Sequence, residues 1–304
     1  MFALEGRLRL AQALQEVTPG ASTYGYQIHQ LPHRLSMTLT LLRLLVLVLS
    51  GLTALTARAQ QPIDTLHIAI LGDSNTWLGG DECQQPEGWT FHFNQALRPA
   101  SCRSYARSGA TWTHTTATTA NVEEYTEVIT PCNVIYNQCL RLIADVQTGR
   151  IAEPTLILIA AGTNDAWFHQ KQRKGCLDLE AKLAFQSPTD EVMQKGLGQL
   201  SSLAEAVRYD CLFLQRKFPA AHIVLLTPLP SLHAGKAAIE RAANCIEKCG
   251  HLLHIPVIRQ DLEGCIRYDT ERHRLTYTTD GTHMNAAAAR KIGRLIARRV
   301  QPLL

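Results

Sequence analysis

The amino-acid sequence predicts an α/β fold, a three-layer α/β/α sandwich whose central, mostly five-stranded parallel sheet is covered by helices on both faces. Two observations predict it. Five short apolar runs alternate with longer segments of helical periodicity, the order in which crossover helices build a parallel sheet. The strongest runs, LILIAA and IVLLT, are apolar at successive positions, as strands buried on both faces require. The 304 residues, 46% hydrophobic and 18% charged, suffice to fill such a core and exclude a disordered chain.

The N-terminal stretch stands apart from the predicted domain. Arg43 is followed by the uncharged run LLVLVLSGLTAL (44–55) and by Ala57-Arg58-Ala59, the basic, apolar and small-residue order of a secretory signal peptide. The run falls short of the roughly 18 apolar residues of a membrane-spanning helix. Translation is therefore expected to start at Met37 and cleavage to follow Ala59, leaving a domain over 60–304 with no membrane span. Removing 1–59 leaves 25 Lys and Arg against 24 Asp and Glu, a net charge of +1. Such a balance excludes a nucleic-acid binder, which needs a strongly basic face.

Within the domain, LHIAIL (66–71) is the first strand and runs straight into Gly72-Asp73-Ser74-Asn75. CRSYA (102–106), TLILIAA (155–161), HIVLLT (222–227) and IPVI (255–258) are the others, the second being the weakest pattern. Residues 187–218 read as one crossover helix. Ser187-Pro188-Thr189-Asp190 offers a cap, a first-turn proline and an acid, and Leu200, Leu203, Ala204, Val207, Cys211 and Leu214 recur at helical spacing. The terminal helix sets Ala288, Ile292, Leu295 and Ile296 against a wet face of Arg290, Lys291, Arg294, Arg298 and Arg299.

All nine cysteines lie beyond residue 59, and the odd number leaves at least one thiol free whatever the pairing. Cys245, Cys249, His251 and His254 lack the tight CxxC pair of a zinc site, and the two cysteines sit one helical turn apart as small core residues do. No metal is expected there.

Ligands of a doubly wound sheet bind beyond the carboxyl ends of its strands. Four polar motifs fall at such ends: Gly72-Asp73-Ser74-Asn75 after strand one, Arg107-Ser108-Gly109-Ala110-Thr111 after strand two, Gly162-Thr163-Asn164-Asp165 after strand three, and Asp280-Gly281-Thr282-His283 before the last helix. Together and in this order they resemble the blocks of the SGNH, or GDSL-type, esterase and lipase superfamily, and the resemblance spans Leu66 to about Arg299. It implies a flavodoxin-like hydrolase fold and a serine esterase that needs no cofactor.

Acyl transfer needs a nucleophile, a base and donors for the oxyanion. The resemblance assigns Ser74 as nucleophile, in a GDS turn rather than the GxSxG elbow of α/β-hydrolases. It assigns His283 as the base, with Asp280 three residues earlier to hold the other ring nitrogen. The oxyanion donors it implies are the backbone N–H groups of Ser74 and Gly109 and the side-chain amide of Asn164. Asp73 and Asp165 are expected to organise their turns. The sequence departs from the common pattern at Asn75, where the family name has Leu, at Ser104, where many members carry Asn, and at Met284, a frequent proline. These mark a divergent branch without removing a catalytic group.

The substrate expected is a small acyl ester, foremost an O-acetyl group on a carbohydrate, met outside the cytoplasm. Trp77, Trp112 and Trp167 are the candidate substrate-binding aromatics, with Tyr105 and Gly88-Trp89-Thr90-Phe91 nearby. The segment 166–190, including Gln170, Lys171, Gln172, Arg173 and Lys174, reads either as a lid or as a solvated loop. A lysophospholipase or thioesterase, and a catalytically silent glycan-binding module, are the alternatives.

Overall fold

The computed structural model describes residues 65–124, 128–177, 185 and 187–304. The expected signal peptide, its start at Met37 and its cleavage after Ala59 lie outside the described residues, as do 178–184 and 186 of the expected lid. Five strands form one sheet: β1 (His67–Gly72), β2 (Ser101–Ser104), β3 (Leu156–Ala160), β4 (His222–Leu226) and β5 (Val257–Ile258). Every pairing is parallel, in the order β2-β1-β3-β4-β5. Each strand grows from one of the five apolar runs; β2 begins one residue earlier than expected and ends two earlier.

The helices among the described residues are α1 (Ser74–Trp77), α2 (Trp89–Leu97), α3 (Ile135–Gln147), α4 (Thr163–Phe168), α5 (Thr189–Gln194), α6 (Leu203–Lys217), α7 (Lys236–Leu253), α8 (Gln260–Glu263), α9 (Tyr268–His273) and α10 (Ala286–Val300). Successive strand residues point to opposite faces of the sheet. Ala69, Leu71, Ile157, Ile159, Ile223 and Leu225 pack with α3, α6 and α7 on one side. Ile68, Ile70, Leu156, Leu158, Val224 and Leu226 pack with α2 and α10 on the other. This is the three-layer sandwich that the doubly apolar strands demand.

The terminal helix behaves as its pattern predicts, with one refinement. All five cations are exposed, while the buried stripe runs through Ala288, Ala289, Ile292, Gly293 and Ile296 and leaves Leu295 half-buried. Gly293 is needed for close approach, because a Cβ there would stand 2.4 Å from the Trp89 carbonyl oxygen of α2.

The segment 187–218 corrects the expectation of a single helix. It is broken into α5, a 3-10 turn at Leu197–Gln199 and α6. Gly196 and Gly198 disfavour helix between them, and Ser202 restarts it. The Glu205 N–H donates to Ser202 Oγ at 3.3 Å, and the Ser202 hydroxyl donates to Glu205 Oε2 at 2.9 Å. Pro188, not Ser187, precedes α5. Among the described residues no helix is long and apolar enough to cross a membrane.

Candidate active site

β1 delivers Ser74 to the carboxyl edge of the sheet. Its last residue, Gly72, has no room for a side chain, since a Cβ would meet the Ala160 carbonyl oxygen of β3 at 2.6 Å. The Gln138 side chain of α3 satisfies both backbone groups of Gly72, accepting from its N–H and donating to its carbonyl at 2.8 Å each. Asp73 then caps α1 by accepting from the Asn75 N–H at 3.2 Å. This places Ser74 in the first turn of α1, where its own N–H has no intrahelical acceptor.

The loop before α10 brings His283 to Ser74. The Ser74 Oγ lies 2.9 Å from His283 Nε2, and His283 Nδ1 lies 2.7 Å from Asp280 Oδ2. Asp280 Oδ1 also accepts from the backbone N–H groups of Thr282 and His283, at 2.8 Å each. Partial burial pushes the Asp280 carboxyl up, but these bonds from His283 and Thr282 outweigh it and hold the group below its ordinary value. An ionised Asp280 accepts a proton-bearing Nδ1, which leaves Nε2 free to take the serine proton.

Asn75 grips this loop from both sides of the histidine. Its Nδ2 donates to the Thr282 carbonyl at 3.2 Å, and its Oδ1 accepts from the Met284 N–H at 3.0 Å. The residue that departs from the family name is thus a buried clamp between the nucleophile turn and the histidine loop. A leucine offers neither bond. A polar residue at a position named for an apolar one was the available signal, and it said only that some partner existed.

The loop carrying Gly109 is held by buried polar and charged groups. Gly109 has φ 77°, and a Cβ would stand 2.4 Å from the Val128 carbonyl, so only glycine fits this turn. Arg107 anchors the approach: it pairs with Asp81 at 2.7 Å and Glu124 at 2.8 Å and donates to the Ala106 carbonyl at 2.7 Å. The Asn133 amide holds the Ser108 and Val128 carbonyls at 2.7 and 2.6 Å. Asn164, in the first turn of α4, donates one amide hydrogen to the Ala110 carbonyl at 2.8 Å, which aims the other away from that bond. Among the described residues neither the Ser74 nor the Gly109 N–H has an acceptor within the chain.

Both organising acids do structural work of different kinds. Asp165 accepts from the Trp112 N–H at 3.0 Å, the Thr113 N–H at 2.9 Å and the Thr113 hydroxyl at 2.6 Å, which ties the Gly109 loop to α4. Asp73 lies beneath Ser74, and burial pushes its carboxyl up to about 6 against hydrogen bonds from Thr163 and Asn75.

The aromatic candidates are corrected in three ways. Trp112 is fully buried among Leu71, Ile135 and Ile159 and is a core residue. Tyr105 is likewise buried, donating its hydroxyl to Asp145 at 3.0 Å. Trp167 is half-buried on α4 and its ring is already engaged by neighbours: Phe168 stacks at 5.4 Å and His233 at 4.7 Å. His233 also holds the Asp280 carbonyl through Nε2 at 3.0 Å, so this stack joins the Asn164 helix to the His283 loop. Trp77, at the end of α1, remains half-exposed. In the expected lid, Arg173 is buried and donates to Thr111 Oγ1 at 3.1 Å and the Thr130 carbonyl at 2.9 Å, a brace rather than a solvated loop residue.

The family model described as GDSL-like Lipase/Acylhydrolase matches residues 68–296. One solved structure overlays with a TM-score of 0.53 at 17% identity, covering 80% of this chain and 99% of its own. A protein from Lactobacillus plantarum gives 0.49 at 14% identity, covering 79% and 98%. An acetyl xylan esterase gives 0.49 at 16% identity, covering 77% and 100%. At such identities the first of these likenesses speaks for the fold. No curated protein matches the sequence significantly.

Proposed function

The chain belongs to the GDSL-like lipase/acylhydrolase family and is a carboxylic ester hydrolase; from that premise we propose that it works through Ser74, His283 and Asp280. The observation that carries the proposal is the continuous hydrogen-bond chain from Ser74 Oγ through His283 to Asp280, at 2.9 and 2.7 Å. His283 Nε2 takes the Ser74 proton as Oγ attacks the ester carbonyl, and Asp280 offsets the imidazolium charge. The tetrahedral oxyanion is received by the N–H groups of Ser74 and Gly109 and by the free amide hydrogen of Asn164. Imidazolium then protonates the departing alcohol. Water, deprotonated by the same histidine, releases the acid from the acyl-enzyme.

The proposal extends to setting and substrate: an exported enzyme that removes short acyl groups, foremost O-acetyl from carbohydrate. The large apolar side chains left exposed among the described residues, Val122, Val128, Leu252, Leu262 and Leu275, are scattered over separate segments. That supports a soluble ester over a lipid surface, which is met with one contiguous apolar patch.

A serine-directed fluorophosphonate tests the nucleophile. Native protein is expected to be labelled and Ser74→Ala is not; unlabelled but folded native protein overturns the mechanism. Nitrophenyl esters of increasing chain length test the substrate class. Each buried methylene is worth about 0.8 kcal/mol, so a kcat/KM that climbs to eight carbons or beyond refutes the deacetylase reading. A mature N-terminus at Gln60, read by mass spectrometry of secreted protein, is the expected mark of export.

A further inference from the structure

The segment after α1 is tied to β2 at two neighbouring points, and the tie brings two cysteines together. The Ser104 N–H donates to the Asp81 carbonyl at 2.7 Å, and Arg103 pairs with Glu82. The Cys102 thiol lies within hydrogen-bonding reach of the Cys83 thiol, and both are free thiols in this structure. Both side chains are buried in the same apolar cluster, beside Trp89 and Phe93. Cys83 holds a left-handed φ of 53°, an uncommon state for a residue with a Cβ, with its thiol wholly withdrawn from solvent.

We propose that Cys83 and Cys102 are joined by a disulfide in the exported protein. The bond closes a loop around α2 and ties the segment leaving the nucleophile helix to the strand that leads into Arg107 and Gly109. It therefore braces the two backbone donors of the proposed oxyanion site against each other. The oxidant is a small-molecule or protein disulfide of the export compartment. One cysteine thiolate attacks it and forms a mixed disulfide, expelling one thiolate; the second cysteine thiolate then attacks the mixed disulfide and expels the other. Two protein thiols lose two protons and two electrons, and one external disulfide is reduced to two thiols.

The neighbouring Cys83 thiol, followed by burial, pushes the Cys102 thiol well above its ordinary range. This pairing does not rest on the ester-hydrolase mechanism, and it uses the export proposal only as the source of oxidant.

The test is peptide mapping of native protein refolded in a glutathione redox buffer and alkylated without reduction. Glutamyl endopeptidase cuts after Glu82, Glu87 and Glu123, which isolates Cys83 in 83–87 and Cys102 as the one cysteine of 88–123. These two peptides are expected to be recovered linked. Alkylation of both cysteines, or either one joined to a third, overturns the proposal. Reductant is expected to lower Tm by roughly 5–10 °C and to have no such effect on the Cys83→Ala, Cys102→Ala double variant. A full reductant effect in that variant assigns the stability to another pair and overturns the bracing role.

Discussion

The two halves of the site are held in opposite ways. On the oxyanion side, Gly109 and Asn164 sit on backbone cross-tied by buried groups: Arg107 with its side chain 3% exposed, Asp165 with three donors, and Arg173 against Thr111 and Thr130. On the proton-transfer side, His283 and Asp280 have side chains 32% and 45% exposed and hang on the Asn75 amide and His233. The difference is what the proposed mechanism asks for. Donors that stabilise a developing charge must be fixed before it appears, since reorienting them costs part of the barrier. A base that must also activate water for deacylation has to keep contact with solvent.

Removing the base should give the largest loss. His283→Ala is expected to lower kcat by about 10³-fold or more, with the fold intact, as read by ester hydrolysis and circular dichroism. Loss of less than tenfold would take His283 out of the mechanism. Asn164→Ala comes next, at about 10²–10³-fold in kcat with KM little changed, because its free amide hydrogen acts on the transition state. A rise in KM at constant kcat would show that Asn164 binds substrate instead. Since Asn164 also holds the Ala110 carbonyl, the Tm of the variant must be read alongside.

Asp73, at the joint between the halves, affects stability rather than turnover. Burial pushes its carboxyl up to about 6, from an ordinary value of about 3.8. Below pH 3.8 the folded and unfolded chains are both protonated there. Between those values the unfolded chain gives up the proton first, so stability falls as pH rises and the full cost is present above pH 6. That cost is about 3 kcal/mol, at 1.36 kcal/mol per pKa unit. Asp73→Asn removes it, so the variant's advantage in urea denaturation should widen between pH 4.5 and pH 7.5. A difference that is the same at both values would mean that Asp73 ionises freely in the fold.

Most of the architecture was legible because burial on both faces leaves a direct trace: the runs LILIAA and IVLLT became β3 and β4. Gly109 was assigned through the family resemblance alone, and its φ of 77°, which only glycine adopts easily, gives the physical reason for a glycine there. What sequence reasoning missed depends on contacts between distant segments. Trp112 read as a rim aromatic because it follows Gly109, yet the loop turns inward and the indole enters the core. Arg173 read as lid or solvent loop because charges usually face water, and it is buried against Thr111. The helix over 187–218 was read from its cap and the apolar stripe from Leu200 to Leu214 alone, a pattern that leaves out Gly196 and Gly198, where the chain breaks.

Asn75 is the smallest predicted effect and the sharpest test of the contrast between the halves. Its amide spans Thr282 and Met284, 207 and 209 residues away in sequence, so it fixes where His283 sits without touching a reacting atom. Asn75→Ala should lower kcat by about tenfold, the fold-change of a 1.4 kcal/mol perturbation and the scale of one or two lost hydrogen bonds. KM should stay nearly constant, because the Gly109 and Asn164 side is braced independently. Asn75→Asp keeps an acceptor for the Met284 N–H but loses the donor to Thr282, and should fall between native and Asn75→Ala. If Asn75→Ala instead lowers Tm with unchanged kcat, the clamp serves the fold alone, and His283 is held in place by Asp280 and the His233 contact.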